Sequence, residues 1–250
     1  MGDVPLSRAR DLCQDPVVRS FLAGTLLVVA LAVAGCGGSS SPSPNGEVSK
    51  PAQQVLSDAK TAAEGASSFH MAGQITSGAQ QIGLDVTIAT GKGATGSLTI
   101  QGHKVQLVVI GTDAYINADA GFYSQFGGAA GSAAASVVAG KWLKFPTTNA
   151  QFGSIASITN SNTLFDSMTA HAGPLKNNGA KTYNGQSAAA LFDTSKKETL
   201  YVAATGTAFP IAIVKTGSGS GGTIAFDNWD KSVTLTAPSG AIDFSALTGG

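Results

Sequence analysis

The sequence predicts an α+β fold in which a curved antiparallel sheet wraps a small number of helices. Three observations support this prediction. A helical pattern begins after residue 48, two groups of alternating apolar and polar residues follow, and shorter helical patterns lie between these groups. Two strand meanders with helices inserted between them favour one sheet over two domains. We therefore expect a single β/α domain over residues 49–250.

The first helix is predicted to begin at Ser49 or Lys50, because Pro51 suits the first turn of a helix. Its apolar face, at a spacing of three to four residues, consists of Val55, Ala59, Ala62, Ala63 and Ala66. Gly65 and the serine pair that follows end the pattern. This face is expected to pack on the sheet.

From Phe69 onward the apolar period changes to two, which indicates strands. Glycine-containing turns at residues 91–93, 102 and 111–113 separate these strands at hairpin spacing. The inward face, which would line a cavity, is predicted to consist of Ile75, Leu84, Val86, Ile88, Leu98, Ile100, Leu107 and Val109. Taken singly, each of these residues is more simply explained as ordinary core.

The segment between the two meanders leaves alternatives open. Residues 122–138 could form a loose helix or a loop, and the Gly/Ala-rich insert at residues 127–140 could gate a cavity. A short strand is predicted at residues 141–145, and short helices at 150–159 and 163–170, the second capped by Asn162. The bulky residues expected to cover the inward face are Phe122, Phe126, Phe152, Phe165 and Met168.

The second group of strands is predicted at residues 181–193, 198–204, 209–215, 223–229 and 232–236. Asn184-Gly185 divides the first of these segments into a hairpin, since this dipeptide is typical of two-residue hairpin loops. Trp142 and Trp229 could stack on a sugar headgroup, but burial against the sheet is the simpler expectation.

Composition and motif spacing argue against several classes of function. The chain has 15 basic and 15 acidic residues, so it offers no basic face for nucleic acid. The sequence has two cysteines, Cys13 and Cys36, and three histidines that are far apart, His70, His103 and His171. These residues do not have the spacing of a metal site, which needs three or four converging ligands. Phosphate-binding, dinucleotide-binding and nucleophile-elbow motifs are missing from the sequence. We therefore predict no enzyme, no cofactor and no metal.

The N-terminus has the organisation of a bacterial lipoprotein leader. Three arginines precede an uncharged core at residues 21–33, which is shorter than the roughly 20 residues that a membrane span needs. Val33-Ala34-Gly35-Cys36 then resembles a lipobox, in which small residues enter the signal peptidase and the cysteine thiol accepts a diacylglycerol. The alternative is an uncleaved anchor in which Cys36 is incidental.

Cleavage before Cys36 would divide the chain into three parts. Residues 1–35 are predicted to be a signal peptide, and residues 36–48 a lipidated flexible tether rich in glycine, serine and proline. The domain would then be held by acyl chains on the extracytoplasmic face of the cell membrane.

Several short motifs resemble one known family by their order. They are Ser67-Ser68-Phe69-His70-Met71, Tyr183-Asn184-Gly185-Gln186, Leu200-Tyr201-Val202 followed by Thr205-Gly206 and Phe209-Pro210, and Asn228-Trp229 before residues 233–238. Together with the lipobox they resemble the actinobacterial LppX/LprAFG-type envelope lipoproteins, which have the wider LolA/LolB-like lipoprotein-carrier fold. The match spans roughly residues 49–239, and the insert at residues 127–140 departs from it.

The resemblance implies an incomplete β-barrel that is closed by helices around an apolar cavity. It also implies that the ligand is a lipid or glycolipid, whose acyl chains are carried through the cell envelope without a catalytic step. The sequence does not identify a transporter partner. The alternative is a surface lipoprotein with a filled core that acts as a presentation, interaction or sensor module. An esterase-like enzyme is disfavoured because the sequence offers no nucleophile–base pair.

Overall fold

The computed structural model of the chain describes residues 43–149, 153, 160–170, 173–217 and 220–244. Residues 41–250 form one compact unit. This unit holds every helix, strand and core cluster described below, so we expect it to fold without the leader. None of the helices in the described ranges is long and apolar enough to cross a membrane.

The secondary structure confirms the predicted α+β class. The helices of the described residues are α1 (Ala52–Gly65), α2 (Ala120–Phe126), α3 (Gly128–Val138) and α4 (Ser161–Ala170), and a 3-10 turn at Glu47–Ser49 precedes α1. The strands are β1 (Ser68–Ser77), β2 (Gln80–Ala89), β3 (Gly93–Ile100), β4 (His103–Ile110), β5 (Asp113–Ala118), β6 (Leu143–Pro146), β7 (Leu175–Tyr183), β8 (Gln186–Asp193), β9 (Glu198–Ala203), β10 (Pro210–Lys215), β11 (Ser220–Asp227) and β12 (Ile242–Asp243).

These strands form one 12-stranded sheet with the order β12-β6-β5-β4-β3-β2-β1-β11-β10-β9-β8-β7. Neighbouring strands are antiparallel, apart from β12 and β6, which run parallel. The pairing of β1 with β11 joins the two meanders, with His70 opposite Asp227. Because β12 and β7 are the two edges, the sheet is open. One open sheet built from two meanders confirms the fold that the sequence and the resemblance predict.

Two ends and two faces of this sheet recur below. We call the end where β1 stops at Ser77 and β2 starts at Gln80 the upper end, and the end where β1 starts at Ser68 the lower end. The face that packs against the helices is the inner face, and it carries Phe69, Met71 and Gly73 of β1. The opposite, outer face carries His70.

Two core clusters lie on the inner face. The central cluster joins β1–β6 and β11 to α2, α3 and α4, and includes Phe69, Met71, Leu107, Phe122 and Phe165, all at most 1% exposed. The second cluster joins α1, through Val55, Leu56 and Ala59, to Ala189, Leu191 and Val202 of β8 and β9. Helix α1 therefore covers β8 and β9, and its Ala63 also reaches the central cluster.

The helices agree with the sequence in type more than in boundaries. Val55, Ala59, Ala63 and Ala66 are buried as predicted. Residues 122–138 contain most of α2 and all of α3. Asp119 caps the start of α2, since its side chain accepts a hydrogen bond from the Phe122 N–H at 2.7 Å. The predicted Asn162 cap is wrong, since Asn160 Oδ1 accepts from the Thr163 N–H at 3.2 Å. The helix predicted at residues 150–159 lies outside the described residues, apart from Gly153.

Two strand predictions are wrong. β7 begins at Leu175 rather than at residue 181, and it contains an irregularity between Asn177 and Ala180 where Gly179 has a positive φ of 72°. Residues 232–236 form no strand. The chain there passes from the lower end of β1, where the Asp230 N–H donates to the Ser68 carbonyl, to the β12 edge beside β6.

Candidate functional site

The register brings the predicted inward residues onto the inner face. Five of the eight are buried in the central cluster: Val86, Ile88, Leu98, Leu107 and Val109. The other three are half-buried. Leu84 and Ile100 pack against the central cluster, and Ile75 lies opposite Ile82. Alternation along each strand was therefore a sufficient signal for the face. It did not show how deeply each residue is buried.

Burial on the inner face changes from the lower to the upper end. One row of side chains that lie side by side across β1, β2, β4, β5 and β6 is at most 1% exposed. It consists of Met71, Val86, Leu107, Ile116 and Leu143. Towards the upper end Leu98 and Val105 stay buried, but other apolar residues of the inner face are only half-buried, and Ile82 reaches 37% exposure. We call the six residues of this region the upper apolar strip: Ile75, Ile82, Leu84, Ile100, Ile213 and Ile224.

The upper apolar strip crosses the junction of the two meanders. Ile82 lies opposite both Ile75 and Ile100. On the other side of β1, Ile224 lies opposite Ile213. Gly73 separates Leu84 from Ile224 on the same face. Gly73 contributes no side chain between these two aliphatic flanks, and the place of its Cβ is taken by the β11 backbone, with the Thr223 carbonyl oxygen 1.9 Å away.

A small apolar cavity lies beside the strip, between α1 and β7–β10. It has a volume of about 30 Å³, and Leu56, Leu175, Leu191, Leu200 and Ile213 form its apolar wall. Asp193, Lys196 and Glu198 form its polar rim at the upper end. An apolar cavity of about 150 Å³ is known to take up benzene. The cavity in this conformation therefore has no room for an acyl chain.

Aromatic rings fill the inner face around β1 and β11. The ring of Phe69 lies 5.3 Å from that of Phe165 of α4 and 6.3 Å from that of Phe226. Trp229 is half-buried and stacks on Phe69 and Phe209, with ring centroids 5.1 and 4.5 Å apart. Packing within the protein thus occupies the Trp229 ring, in line with the simpler expectation for this residue.

The predicted covering residues are placed by α2 and α4. Phe122 and Phe165 are 1% exposed, whereas Phe126 is half-buried with its ring 5.2 Å from that of Phe122. The position of Phe152 and the side chain of Met168 lie outside the described part of the chain. Phe126 is therefore the covering residue with accessible surface near the upper end.

Polar contacts hold α1 over its half of the sheet. Asn177 of β7 donates to the carbonyls of Glu47 and Lys50, at 3.1 and 2.9 Å. Lys60 of α1 pairs with Asp166 of α4 at 2.7 Å, and the Asp166 side chain is 62% exposed. Solvent screens such exposed pairs, so this link between the two helices is weak.

The buried carboxylate of Asp193 is hydrogen-bonded to backbone N–H groups. Asp193 is 5% exposed and accepts from the N–H groups of Gly173, Ser195 and Lys196. The hydrogen bond from the Ser195 hydroxyl, followed by those from the backbone, holds the pKa of this carboxyl well below its usual range. The described residues contain no group of three or more side chains that could hold a metal ion.

Comparison with known proteins supports the fold and leaves the function open. No protein-family model matches the chain, and no curated protein sequence is significantly similar. Among solved structures, LprF from Mycobacterium bovis is similar with a TM-score of 0.54, at 14% identity over 79% of this chain and 100% of that chain. The lipoprotein LppX from Mycobacterium tuberculosis gives a TM-score of 0.48, at 13% identity over 74% of this chain and 99% of that chain. The similarity to LprF confirms the resemblance expected from the sequence for the fold.

Proposed function

We propose that this chain is a lipid-anchored envelope lipoprotein that binds the acyl chains of a lipid or glycolipid on the inner face of its sheet and carries them through the envelope. The observation that carries this proposal is the upper apolar strip. Five of its six aliphatic side chains are half-buried and the sixth, Ile82, is 37% exposed. The strip continues directly into the fully buried core. The proposal involves no catalytic step.

The binding energy would come from removing hydrocarbon from water. Each acyl methylene that leaves water contributes about 0.8 kcal/mol, so a dozen methylenes contribute on the order of 10 kcal/mol. The acyl chain would lie across β1 at Gly73, where no side chain separates Leu84 from Ile224. The half-buried Phe126 of α2, a helix that contacts β4, would cover the β4 side of the inner face.

Acyl binding would require α1 to move away from the sheet. The apolar cavity under α1 is about 30 Å³, and its wall includes Leu56 of the helix and Ile213 of the strip. An acyl chain that follows the strip would therefore enlarge this cavity. The exposed Lys60–Asp166 pair gives little resistance to this displacement.

The anchor is proposed on the leader alone. Residues 1–35 would be removed, Cys36 would carry the acyl groups, and residues 36–48 would link it to the lipid-binding domain at residues 49–250. Within this link, the residues from Ser43 onward are already held against the domain by hydrogen bonds. Two acyl chains hold a protein on a bilayer far more firmly than one chain does. The protein would then act on the extracytoplasmic face of the cell membrane.

Native mass spectrometry of residues 41–250, purified from a lipid-rich bacterial host, tests acyl binding. We expect added mass that organic extraction removes. Ile213→Trp should abolish the added mass, because the indole would occupy the strip and the cavity beside it. Val214→Trp is the matched control, since Val214 is also half-buried but points to the outer face. Equal lipid occupancy in both variants would contradict the proposed site.

The aromatic packing favours a second candidate, a surface lipoprotein whose core is simply filled. Phe69, Phe165 and Phe226 already occupy the space beneath α4. For such a presentation or sensor module, we expect the bare polypeptide mass and no uptake when phospholipid is added. That result would replace the carrier proposal.

A further inference from the structure

The upper end of the sheet carries the exposed large aliphatic residues of the described chain. These are Ile82 of β2, 37% exposed, and Val137 of α3, 56% exposed. Ile82 is two residues from the start of its strand. Val137 lies close to the upper end of β5, because the nearby Gly140 N–H donates to the carbonyl of Ala118. Exposed apolar residues are thus concentrated at one end of the molecule.

Lysines are distributed along the same end of the sheet. Six lysines lie at or next to strand termini of the upper end: Lys104, Lys141, Lys176, Lys196, Lys197 and Lys215. None of them forms an ion pair with the carboxylates of the described ranges. Their ammonium groups are therefore available to an external anion.

Carboxylates at the same end are fewer than the lysines. They are Asp119, Asp193, Glu198 and Asp243. Asp119 caps α2 and pairs with His103, at 2.9 Å, and Asp193 accepts three backbone N–H groups. Lysine charge thus exceeds carboxylate charge at this end of a chain with zero formal net charge.

We propose that the upper end docks on the surface of an anionic lipid bilayer. Lysines attract the negative headgroups, and exposed aliphatic side chains insert at the boundary of the acyl region. A folded partner protein would be expected to meet a larger continuous apolar patch than two separated aliphatic residues provide. The docking surface shares Ile82 with the upper apolar strip, but Val137 and the six lysines lie outside the strip. The substitutions that test docking therefore leave the strip unchanged.

The lower end supplies a matched control. Lys181 and Lys231 are exposed and lie at the lower ends of β7 and β1, respectively, without an ion pair among the described residues. Neutralising these two lysines changes the net charge as much as neutralising Lys104 and Lys197 does. The two double variants therefore differ in the position of the charge and not in its amount.

The test is co-sedimentation of residues 41–250 with vesicles that contain phosphatidylglycerol and phosphatidylcholine in about equal amounts. We expect the protein in the pellet at low salt, and less protein with phosphatidylcholine alone or at high salt. The double variant of Lys104→Gln and Lys197→Gln should bind about 30-fold more weakly. The double variant of Lys181→Gln and Lys231→Gln should bind as the wild type does, and Val137→Ser should weaken binding several-fold.

Two outcomes would overturn the docking surface. One is wild-type binding by the upper-end double variant, and the other is equal loss in both double variants, which would indicate diffuse charge attraction. Lipid extraction is a separate readout, because protein that has taken a lipid out of the vesicle stays in the supernatant. Failure of acyl binding and failure of docking are therefore distinguishable in one experiment.

Discussion

His70 is predicted to make the stability of this fold depend on pH. It lies on the outer face of β1, the strand that joins the two meanders. Its imidazole Nδ1 is 2.8 Å from Asp227 Oδ1 of β11, and Nε2 is 2.9 Å from Asp85 Oδ1 of β2. Burial lowers the pKa of His70, but the hydrogen bonds to Asp85 and Asp227 outweigh it and raise the pKa above its ordinary value.

The direction of the pH effect follows from this raised pKa. A group whose pKa is higher in the folded state stabilises the fold fully below its unfolded pKa, which is about 6.5 for histidine. The contribution is then lost as the pH rises through the folded pKa. The Asp85 and Asp227 side chains are 73% and 57% exposed, so solvent screens both pairs. Each pair is worth at most about 1 kcal/mol.

We therefore expect the free energy of unfolding to fall by about 1 kcal/mol between pH 5.5 and 8.5 because of His70. Urea denaturation of residues 41–250 at several pH values measures this change, and His70→Gln should remove it. The imidazole resonances should titrate above the ordinary histidine range in NMR spectra, and Asp227→Asn should lower that pKa. An unchanged pH dependence in His70→Gln would refute the reasoning.

Three further changes have expected outcomes. Asp193→Asn should lower the free energy of unfolding at neutral pH by about 2 kcal/mol, measured by urea denaturation, since the native hydrogen bonds are to a charged carboxylate. Because the pKa of Asp193 is lowered in the fold, the wild type should lose the same contribution as the pH falls below about 4. Gly73→Ala should lower the free energy of unfolding by at least about 2 kcal/mol, because the new Cβ would lie 1.9 Å from the Thr223 carbonyl oxygen. Gly83→Ala is the control: its Cβ would lie 3.4 Å from the nearest atom, so its free energy of unfolding should stay within about 0.5 kcal/mol of the wild type. Cys36→Ser should abolish acylation, measured as the loss of the lipid mass from the membrane-extracted protein; retained lipid mass would contradict the lipobox.

The sequence predicted the sheet where side-chain alternation is governed by a single buried face. Leu84, Leu98 and Leu107 alternate with polar residues, and a one-residue slip of the register would expose all of them. The same rule fails for β7, whose residues 176–178 are polar and whose irregularity at Gly179 breaks the period. Edge strands have a partner on one side only, so their sequences are less constrained.

Alternation also overstated the strands near the C-terminus. Val233 and Leu235 alternate with polar residues and are half-buried. Their segment crosses the lower part of the domain, where the Leu235 side chain comes close to Gly93. An extended chain with one side against the protein has the period of a strand whether or not another strand pairs with it.

The candidate site depends on tertiary features that the sequence shows only in part. Alternation identified Ile75, Leu84 and Ile100 as inward-facing, but their partial exposure depends on where α1 and α4 come to lie. Ile213 and Ile224 were assigned to strands and not to the site, because their position across β1 depends on the β1–β11 pairing. Asp119 could have been recognised as the cap of α2, since aspartate directly before a helical pattern is a common start signal.

The attachment of the tether determines how far the protein can reach. Asn45 donates to the carbonyls of Ala203 and Gly206, and the Gly206 N–H donates to the carbonyl of Ser43, so the chain joins the domain at the lower end. The proposed docking surface is at the other end of β1, whose 10 residues span about 33 Å. The seven steps from Cys36 to Ser43 extend up to about 25 Å. An acylated protein standing upright would therefore bridge two lipid surfaces separated by up to about 60 Å, and across a wider gap it would have to work as one member of a relay.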